Sequence, residues 1–405
     1  MRRMIFCGLN LLILLLFTGL SPAKGSSPSN LQDLSSKAKA SLLTIEPGDQ
    51  LFSLFGHTSL RIKDPVTGID QTYNYGTFDF NTDDFYWKFA LGNLQYFLSI
   101  TPFENAKKDY LRNGRAVIEQ RLNLSSKQTK RLYNYLQTNA QPENRYYSYE
   151  FFYDNCTTRI FKAIKAATGD SLLLQRSLNA DQKSYRQFIN SYLRPVPWVK
   201  LGINILLGLP ADDIPTGPKT LFLPDILKKI FGNANIQKTD TSVALVTSQT
   251  IYAPSNNTGL IPPLLTPKLA FWSLFFVMVP FGIAFPEKTL FWSWVDRILF
   301  NIVGGVGILI VFFWLFSAYP VTKWNANIVW TLIAPVGFFL FTTKKKSPSE
   351  AWRLTELIIL GVLLISMTFF LIHQNIPAAI YPLFVLLIFR GWIYFLLSNQ
   401  LILQE

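Results

Sequence analysis

The sequence predicts an α+β exported domain followed by a bundle of about five transmembrane helices, and three observations carry that expectation. Only 16% of the 405 residues are charged and 49% are hydrophobic, whereas a soluble domain carries roughly a quarter charged residues. The deficit is confined to the first two dozen residues and to everything after about position 268. Between these ends, short strands alternate with amphipathic helices from about 40 to 170. This distribution excludes both a plain soluble enzyme and a disordered chain.

Residues 1–23 follow the plan of a secretory signal. Arg2 and Arg3 form the basic start, Leu9 to Leu20 the apolar stretch, and Ser21-Pro22-Ala23 a small-residue exit, with cleavage expected after Ala23. Residues 24–170 form the expected catalytic domain. There, His57 to Lys63 reads as a strand with Leu60 and Ile62 on one face and Ser59 and Arg61 on the other. Asp64 to Gly68 is a turn, Gln71 to Tyr75 the returning strand, and Arg115 to Leu124 another strand. A helix follows Ser125-Ser126, strand-like aromatics run from Tyr146 to Tyr153, and a last helix spans roughly 156–168. Residues 171–253, broken by six prolines from Pro195 to Pro224, read as a helical extension. Within it, segment 198–209 reads either as core or as a helix on the bilayer surface. Residues 254–266, rich in Pro, Ser, Asn and Thr, are a linker.

Residues 267–405 predict membrane helices at about 269–286, 298–320, 324–343, 356–372 and 378–397, each near the 20 or so apolar residues a bilayer requires. With residue 266 outside, the loops holding Lys288, Arg297, Lys344, Lys345, Lys346 and Arg353 are cytoplasmic, as the positive-inside rule requires. Arg390 falls inside the fifth span, where it must either snorkel or face a polar interior. The formal charge of +13 raises the question of nucleic acid. Residues 24–266, however, hold 27 Lys and Arg against 20 Asp and Glu, a net of +7 without long basic runs. Such a mildly basic surface fits anionic phospholipid better, so no nucleic-acid partner is expected.

Histidine and cysteine are scarce. The exported region holds a single Cys, Cys156, and a single His, His57. That excludes an internal disulfide there and falls short of a structural zinc site. No phosphate loop, dinucleotide fingerprint or G-x-S-x-G elbow appears, so neither a metal nor a cofactor is expected. Tyr153-Asp154-Asn155-Cys156-Thr157-Thr158-Arg159 runs from an aromatic strand into a helix, with Asp154 or Asn155 as N-cap and Cys156 in the first turn. Cys156, Ile160, Ile164 and Ala167 share the inward face. A thiol there feels the positive end of the helix dipole, which favours the nucleophilic thiolate. An imidazole beside it would complete its activation. Composition leaves two readings open: a buried small thiol with a structural histidine, or a nucleophile with its base.

Three stretches bear on that choice: Phe55-Gly56-His57-Thr58-Ser59-Leu60-Arg61-Ile62, Tyr73-Asn74-Tyr75-Gly76-Thr77-Phe78-Asp79-Phe80 and Phe152-Tyr153-Asp154-Asn155-Cys156-Thr157-Thr158-Arg159. With Asn113-Gly114-Arg115, Pro142 to Tyr147 and Leu221 to Asp225, they resemble the exported domain of the Lnb-type lipoprotein N-acyltransferases of Gram-negative bacteria. The resemblance takes in most of residues 45–230, in order. His first and Cys about 100 residues later is also similar to circularly permuted papain-like folds, the group of NlpC/P60 peptidases and lecithin–retinol acyltransferase-like enzymes. The resemblance implies Cys156 as nucleophile, His57 as base and Asn74 as orienting residue, with Asp79 as second choice. Asn155, Tyr75 and Tyr153 beside them are the expected substrate contacts.

The implied activity passes an acyl chain from a membrane phospholipid, through a Cys156 thioester, to the α-amine of a lipoprotein's diacylglyceryl-cysteine. Its expected setting is the inner membrane, with the catalytic domain in the periplasm. A cell-wall amidase or endopeptidase using the same dyad, and a scaffold with an idle dyad, are the rival readings. Acyl transfer requires an apolar path from the bilayer. Candidate linings are Phe85 to Phe89, Tyr96 to Leu98 and the helix 198–209, with Trp198 and Leu206 the sharpest.

Overall fold

The computed structural model describes residues 33–174, 182–238, 241–253, 263–285, 289–332 and 374–390. The signal segment 1–23, most of the 254–266 linker and the fourth expected span lie outside these residues. In chain order the strands are β1 (Lys39–Ile45), β2 (His57–Asp64), β3 (Ile69–Thr77), β4 (Gln95–Pro102) and β5 (Val117–Leu122). They continue with β6 (Tyr146–Ser148), β7 (Leu172–Leu173), β8 (Asn235–Lys238), β9 (Thr241–Ala244) and β10 (Val246–Tyr252). The exported helices are α1 (Phe85–Leu91), α2 (Phe103–Arg112), α3 (Ser126–Ala140), α4 (Cys156–Thr168), α5 (Tyr185–Tyr192), α6 (Pro197–Leu206) and α7 (Pro224–Gly232). Two long apolar helices follow, α8 (Pro267–Ala284) and α9 (Thr289–Phe316).

Seven strands form one sheet in the order β10-β5-β1-β2-β3-β4-β6, and β7, β8 and β9 form a smaller one. The main sheet is antiparallel throughout. Its centre is covered on both faces, which is why every residue of β1 after Lys39 is buried, Ser41 and Thr44 included. Leu42, Leu60 and Ile62 pack with Leu132 and Leu136 of α3 and with Ile160 and Ile164 of α4. Leu43, Ile45 and Val117 pack on the other face with Phe103 of α2. The alternation in β2 is as expected, but Arg61 is not solvated. It makes a fork to Asp70 at 2.7 Å on both oxygens, reaches Glu119 at 2.9 Å, and lies 3.5 Å over the Phe103 ring.

Three helix starts are set locally by reciprocal capping, Ser125 with Gln128 at α3, Asn155 with Thr158 at α4 and Ser184 with Gln187 at α5. Segment 171–253 differs from a purely helical extension. It contributes the small sheet, and β10 pairs along β5 from Leu122 to Val117. Most of the β10 side chains are exposed, so no apolar alternation marks it in the sequence. It covers backbone donors and acceptors that β5 would otherwise leave bare.

In the membrane part, α8 and the stretch Trp294–Phe316 of α9 are long and apolar enough to cross a bilayer. Helix α9 begins nine residues before the expected 298, because Asp296 does not end it. Arg390 makes a fork to Asp296 at 2.7 Å on both oxygens, with both side chains buried. Arg390 therefore faces the protein interior rather than snorkelling. A charge paired in this way costs far less in an apolar setting than a bare one.

Helix α6 sits between the two parts. Val199 and Ile203 pack toward the exported cluster of Phe152, Tyr185 and Phe222. Leu201 packs with Phe300, Val303, Trp330 and Leu383 of the membrane part. The segment 198–209 is thus a packed interface, not a free helix on a lipid surface. The carbonyls at the α6 C-terminus are satisfied from both sides. Arg186 of α5 donates to Asn204, Leu207 and Gly208 oxygens at 2.9–3.0 Å and makes a fork to Asp212. Asn325 and Asn327 donate to Ile205 O at 2.7 and 3.0 Å, and Gln374 to Leu207 O at 3.3 Å. Gly208 lies against the membrane-side segment, where an added Cβ would fall 1.8 Å from Lys323 O. Gly208→Ala should therefore open this junction, costing about 3 kcal/mol of stability. The check is limited proteolysis across 205–212 together with the melting temperature; unchanged values for both would contradict the packing.

Candidate active site

The first turn of α4 presents Cys156, and a chain of local contacts explains its position. Asn155 is buried and its side chain is fully engaged. Its oxygen accepts from Thr158 N at 2.9 Å, while its amide donates to Phe151 O and Phe222 O, both at 2.7 Å. Asn155, expected as a substrate contact, is instead the post that fixes the helix start. Thr58 of β2 and Thr157 of α4 are hydrogen-bonded at 3.1 Å, both fully buried, and the Thr157 hydroxyl lies 3.8 Å from the Cys156 sulfur. This pair holds the helix against the strand that starts with His57.

Asn74 lies beside His57 because β3 runs antiparallel to β2, with Leu60 opposite Tyr73; just beyond Asn74, β3 carries a bulge. Its pairing with β4 shifts between Asn74 opposite Ser99 and Thr77 opposite Phe97, which places one extra residue on the β3 side. The bulge includes Gly76 at φ +92°, where a Cβ would meet the Tyr149 ring at 3.3 Å and Cys156 Cβ at 3.7 Å. Only glycine leaves that space beside the thiol. The Asn74 side-chain oxygen is hydrogen-bonded to His57 Nε2. An amide oxygen only accepts, so Nε2 carries the proton in this pairing. The other ring nitrogen, Nδ1, is left for Cys156, whose thiol is held down by the same imidazole. Asp79, the second choice, accepts from Asn81 N at 2.9 Å in a turn and does not meet the ring.

The electrostatics favour a thiolate. Burial pushes the Cys156 thiol up. The charge and hydrogen bond of His57 outweigh it, aided by the Thr58 backbone N–H and the Thr157 hydroxyl, and bring it down to about 7. Further groups ring the thiol, of which only Arg115 belongs to a stretch that carries the family resemblance. The Tyr149 side chain shares the space at Gly76 with Cys156, and its hydroxyl is pushed well up, by burial first and then by the sulfur's charge. Tyr110 is pushed up to about 12, again mainly by burial, with its ring 6.4 Å from that of His57. Arg115 is buried beside them. Its Nε donates to Glu46 O at 2.8 Å, its carbon lies 5.4 Å over the Tyr110 ring, and it feels the charge of Cys156. Tyr110 and Tyr149 fall on separate elements with no common spacing, so the signal lay only in the Asn113-Gly114-Arg115 stretch and the aromatic run from Tyr146.

Other expected contacts lie elsewhere. Tyr75 is buried in the core, 6.3 Å from the Tyr147 ring. Tyr153 packs edge-on to Tyr185 at 5.7 Å. Trp198 donates its indole N–H to Leu265 O at 2.8 Å, and its ring meets Phe271 of α8 at 6.1 Å. Leu206, half-buried, closes α6 at the junction. Neither Trp198 nor Leu206 is brought to the thiol.

An α+β domain with a thiol, an imidazole and an amide in a row, mounted on membrane helices, defines a membrane-anchored protein equipped for nucleophilic chemistry. Two family models match the chain, the Lnb N-terminal periplasmic domain over residues 31–191 and the Lnb transmembrane domain over residues 257–401. The chain belongs to the Lnb family: a lipoprotein-modifying membrane enzyme with its N-terminal domain in the periplasm. No curated protein and no solved structure matches it.

The thiol's environment sets a measurable pH dependence. Alkylation of Cys156 by a small reagent should rise with pH around a midpoint near 7. In His57→Ala the largest influence opposing burial is lost, so the midpoint moves up and the rate at neutral pH falls about 10- to 50-fold. Identical profiles for the two proteins would remove His57 from the activation of the thiol.

Proposed function

We propose that this protein is a lipoprotein N-acyltransferase with a circularly permuted papain-like periplasmic domain, anchored by several spans in the inner membrane. The observation that carries the reading is the Cys156–His57–Asn74 row, on a domain docked through α6 to the membrane helices. His57 Nδ1 takes the thiol proton, and the sulfur attacks an ester carbonyl of a membrane phospholipid. The C–O bond breaks as the C–S bond of the thioester forms, and His57 returns the proton to the departing lysophospholipid oxygen. The α-amine of a lipoprotein's diacylglyceryl-cysteine then attacks the thioester. A C–N bond replaces the C–S bond, and the amine proton passes through His57 back to the sulfur.

Asn74 orients the ring in the tautomer this cycle needs. The free backbone N–H groups of the first α4 turn are the donors for the tetrahedral oxyanion. No cofactor takes part. Confining both lipid substrates to one surface supplies much of the orientation that a soluble enzyme would have to create. The family matches lend no support to a cell-wall amidase.

The test is mass spectrometry of lipoproteins from cells that carry Cys156→Ser as their sole copy. N-acylation should fall below detection while diacylglyceryl-modified precursors accumulate. Unchanged N-acylation would sink the proposal. With purified protein and phospholipid, the wild type should gain the mass of one acyl chain on Cys156, and the serine variant should not form a thioester.

A further inference from the structure

Helix α1 has the sequence FYWKFAL and not one buried residue. Such a helix is out of place on a soluble domain, because an aromatic segment normally buries one face. Tyr86, Trp87 and Phe89 are 61%, 57% and 46% exposed. The helix is also locked to the membrane part. Ala318 N donates to Leu91 O at 2.7 Å, and Trp87 meets Phe312 of α9 at 5.4 Å. Gly92, at φ +74°, lets Ala318 approach: a Cβ there would lie 3.2 Å from Ala318 Cβ. The apolar part of α9 ends at Phe316, so α1 sits at the level where the outer edge of the bilayer meets the domain.

From this helix, aromatic rings follow one another to the nucleophile. Tyr319, just beyond α9, meets Phe89 at 6.4 Å, and Phe89 stacks with Phe85 at 6.4 Å. Phe85 meets Phe80 at 5.0 Å, and Phe80 meets Phe78 at 4.8 Å. Phe78 meets Tyr96 at 5.4 Å, and Tyr96 meets Tyr149 at 4.6 Å. Tyr149 and Cys156 both border Gly76, where an added Cβ would lie 3.3 Å from the Tyr149 ring and 3.7 Å from Cys156 Cβ. The chain of rings is buried at its inner end and partly open along its outer half, where Phe80 is 39% exposed.

We propose that this aromatic track is the binding surface for the acyl chain of the donor phospholipid as it passes from the outer leaflet to Cys156. The inference rests on the acyl-transfer reading and adds the route. The track joins the two places the chain must occupy, hydrocarbon at one end and the sulfur at the other. A chain lifted from the bilayer is disfavoured for every methylene it exposes to water, and a continuous ring surface removes that exposure. The donor chain is favoured as occupant over the acceptor's chains because the track ends at the sulfur itself, where the transferred carbonyl becomes bonded. Trp198 and Leu206 lie on the α6 junction instead and are not part of this route.

The experiment uses the full-length protein and the double variant Phe80→Asp/Phe89→Asp, both at exposed positions, beside Phe80→Leu/Phe89→Leu. Three reactions are followed: acylation of Cys156 from phosphatidylethanolamine vesicles without acceptor, acylation by p-nitrophenyl acetate, and labelling by iodoacetamide. The Asp variant should lose about tenfold or more in the vesicle reaction, keep the other two, and the Leu variant should retain all three. An unchanged vesicle rate in the Asp variant overturns the proposal. So does equal loss of all three reactions, which would make the rings merely structural. If, on adding a diacylglyceryl lipopeptide to the acylated protein, the Asp variant loses only the transfer step, the track belongs to the acceptor, which also overturns it. If the wild type itself gains no acyl mass from vesicles, the acyl-transfer reading fails first, independently of the track.

Discussion

The side chain of Asn155 is the contact on which the site depends. Its oxygen caps α4, and its two amide hydrogens hold the carbonyls of Phe151 and of Phe222, which lies 67 residues further along the chain. One buried amide thus ties the nucleophile's helix to the extension that rests on the membrane part. A buried amide with every group satisfied is rigid, and leaving the two carbonyls unpaired would cost on the order of 1–3 kcal/mol each. Cys156 can be both buried and ionisable because its helix start is held this firmly, with His57 and the Thr58 N–H in fixed places.

The same logic recurs where the exported and membrane parts meet. The end of α6 presents carbonyls in a setting with little water, and Arg186, Asn325, Asn327 and Gln374 satisfy them. Apolar packing alone would let α6 slide between its two partners, since hydrophobic contact has no direction. The hydrogen bonds supply the direction. Deeper in the membrane part, the Arg390–Asp296 fork permits two charges where each alone would cost about several kcal/mol. The proposed reaction between two lipids would depend on fixed geometry at the junction: a thiol that rocked against the membrane would present a changing height above the leaflet.

Much of this could be read from the residues. The strand at His57, the inward face of α4 and the α3 helix start are local matters of alternation, 3.6-residue spacing and capping. Their chemistry lies within a few positions of the chain. The scarcity of histidine and cysteine did the rest, leaving one candidate of each in the exported region. The strand β10 escaped notice because its polar, exposed side chains carry no period. The true start of α9 was hidden because Asp296 reads as a loop residue until its partner, 94 positions away, is in view.

By itself, then, the sequence determined that a thiol at a helix start and a lone imidazole at a strand start would be exported and held on apolar helices. Only the tertiary structure decided how they are used. Asn74 rather than Asp79 meets His57 because antiparallel pairing sets the end of β3 beside the start of β2, while Asp79 falls in the turn beyond β3. Asn155 became a structural post because Phe222 arrives from a distant segment. The expected lipid contacts Trp198 and Leu206 went to the junction, while α1 and the rings behind it came to link α9 with the sulfur. Composition could count the aromatic residues, but which of them touch depends on chain segments brought together by burial of area, and that is settled only by the whole fold.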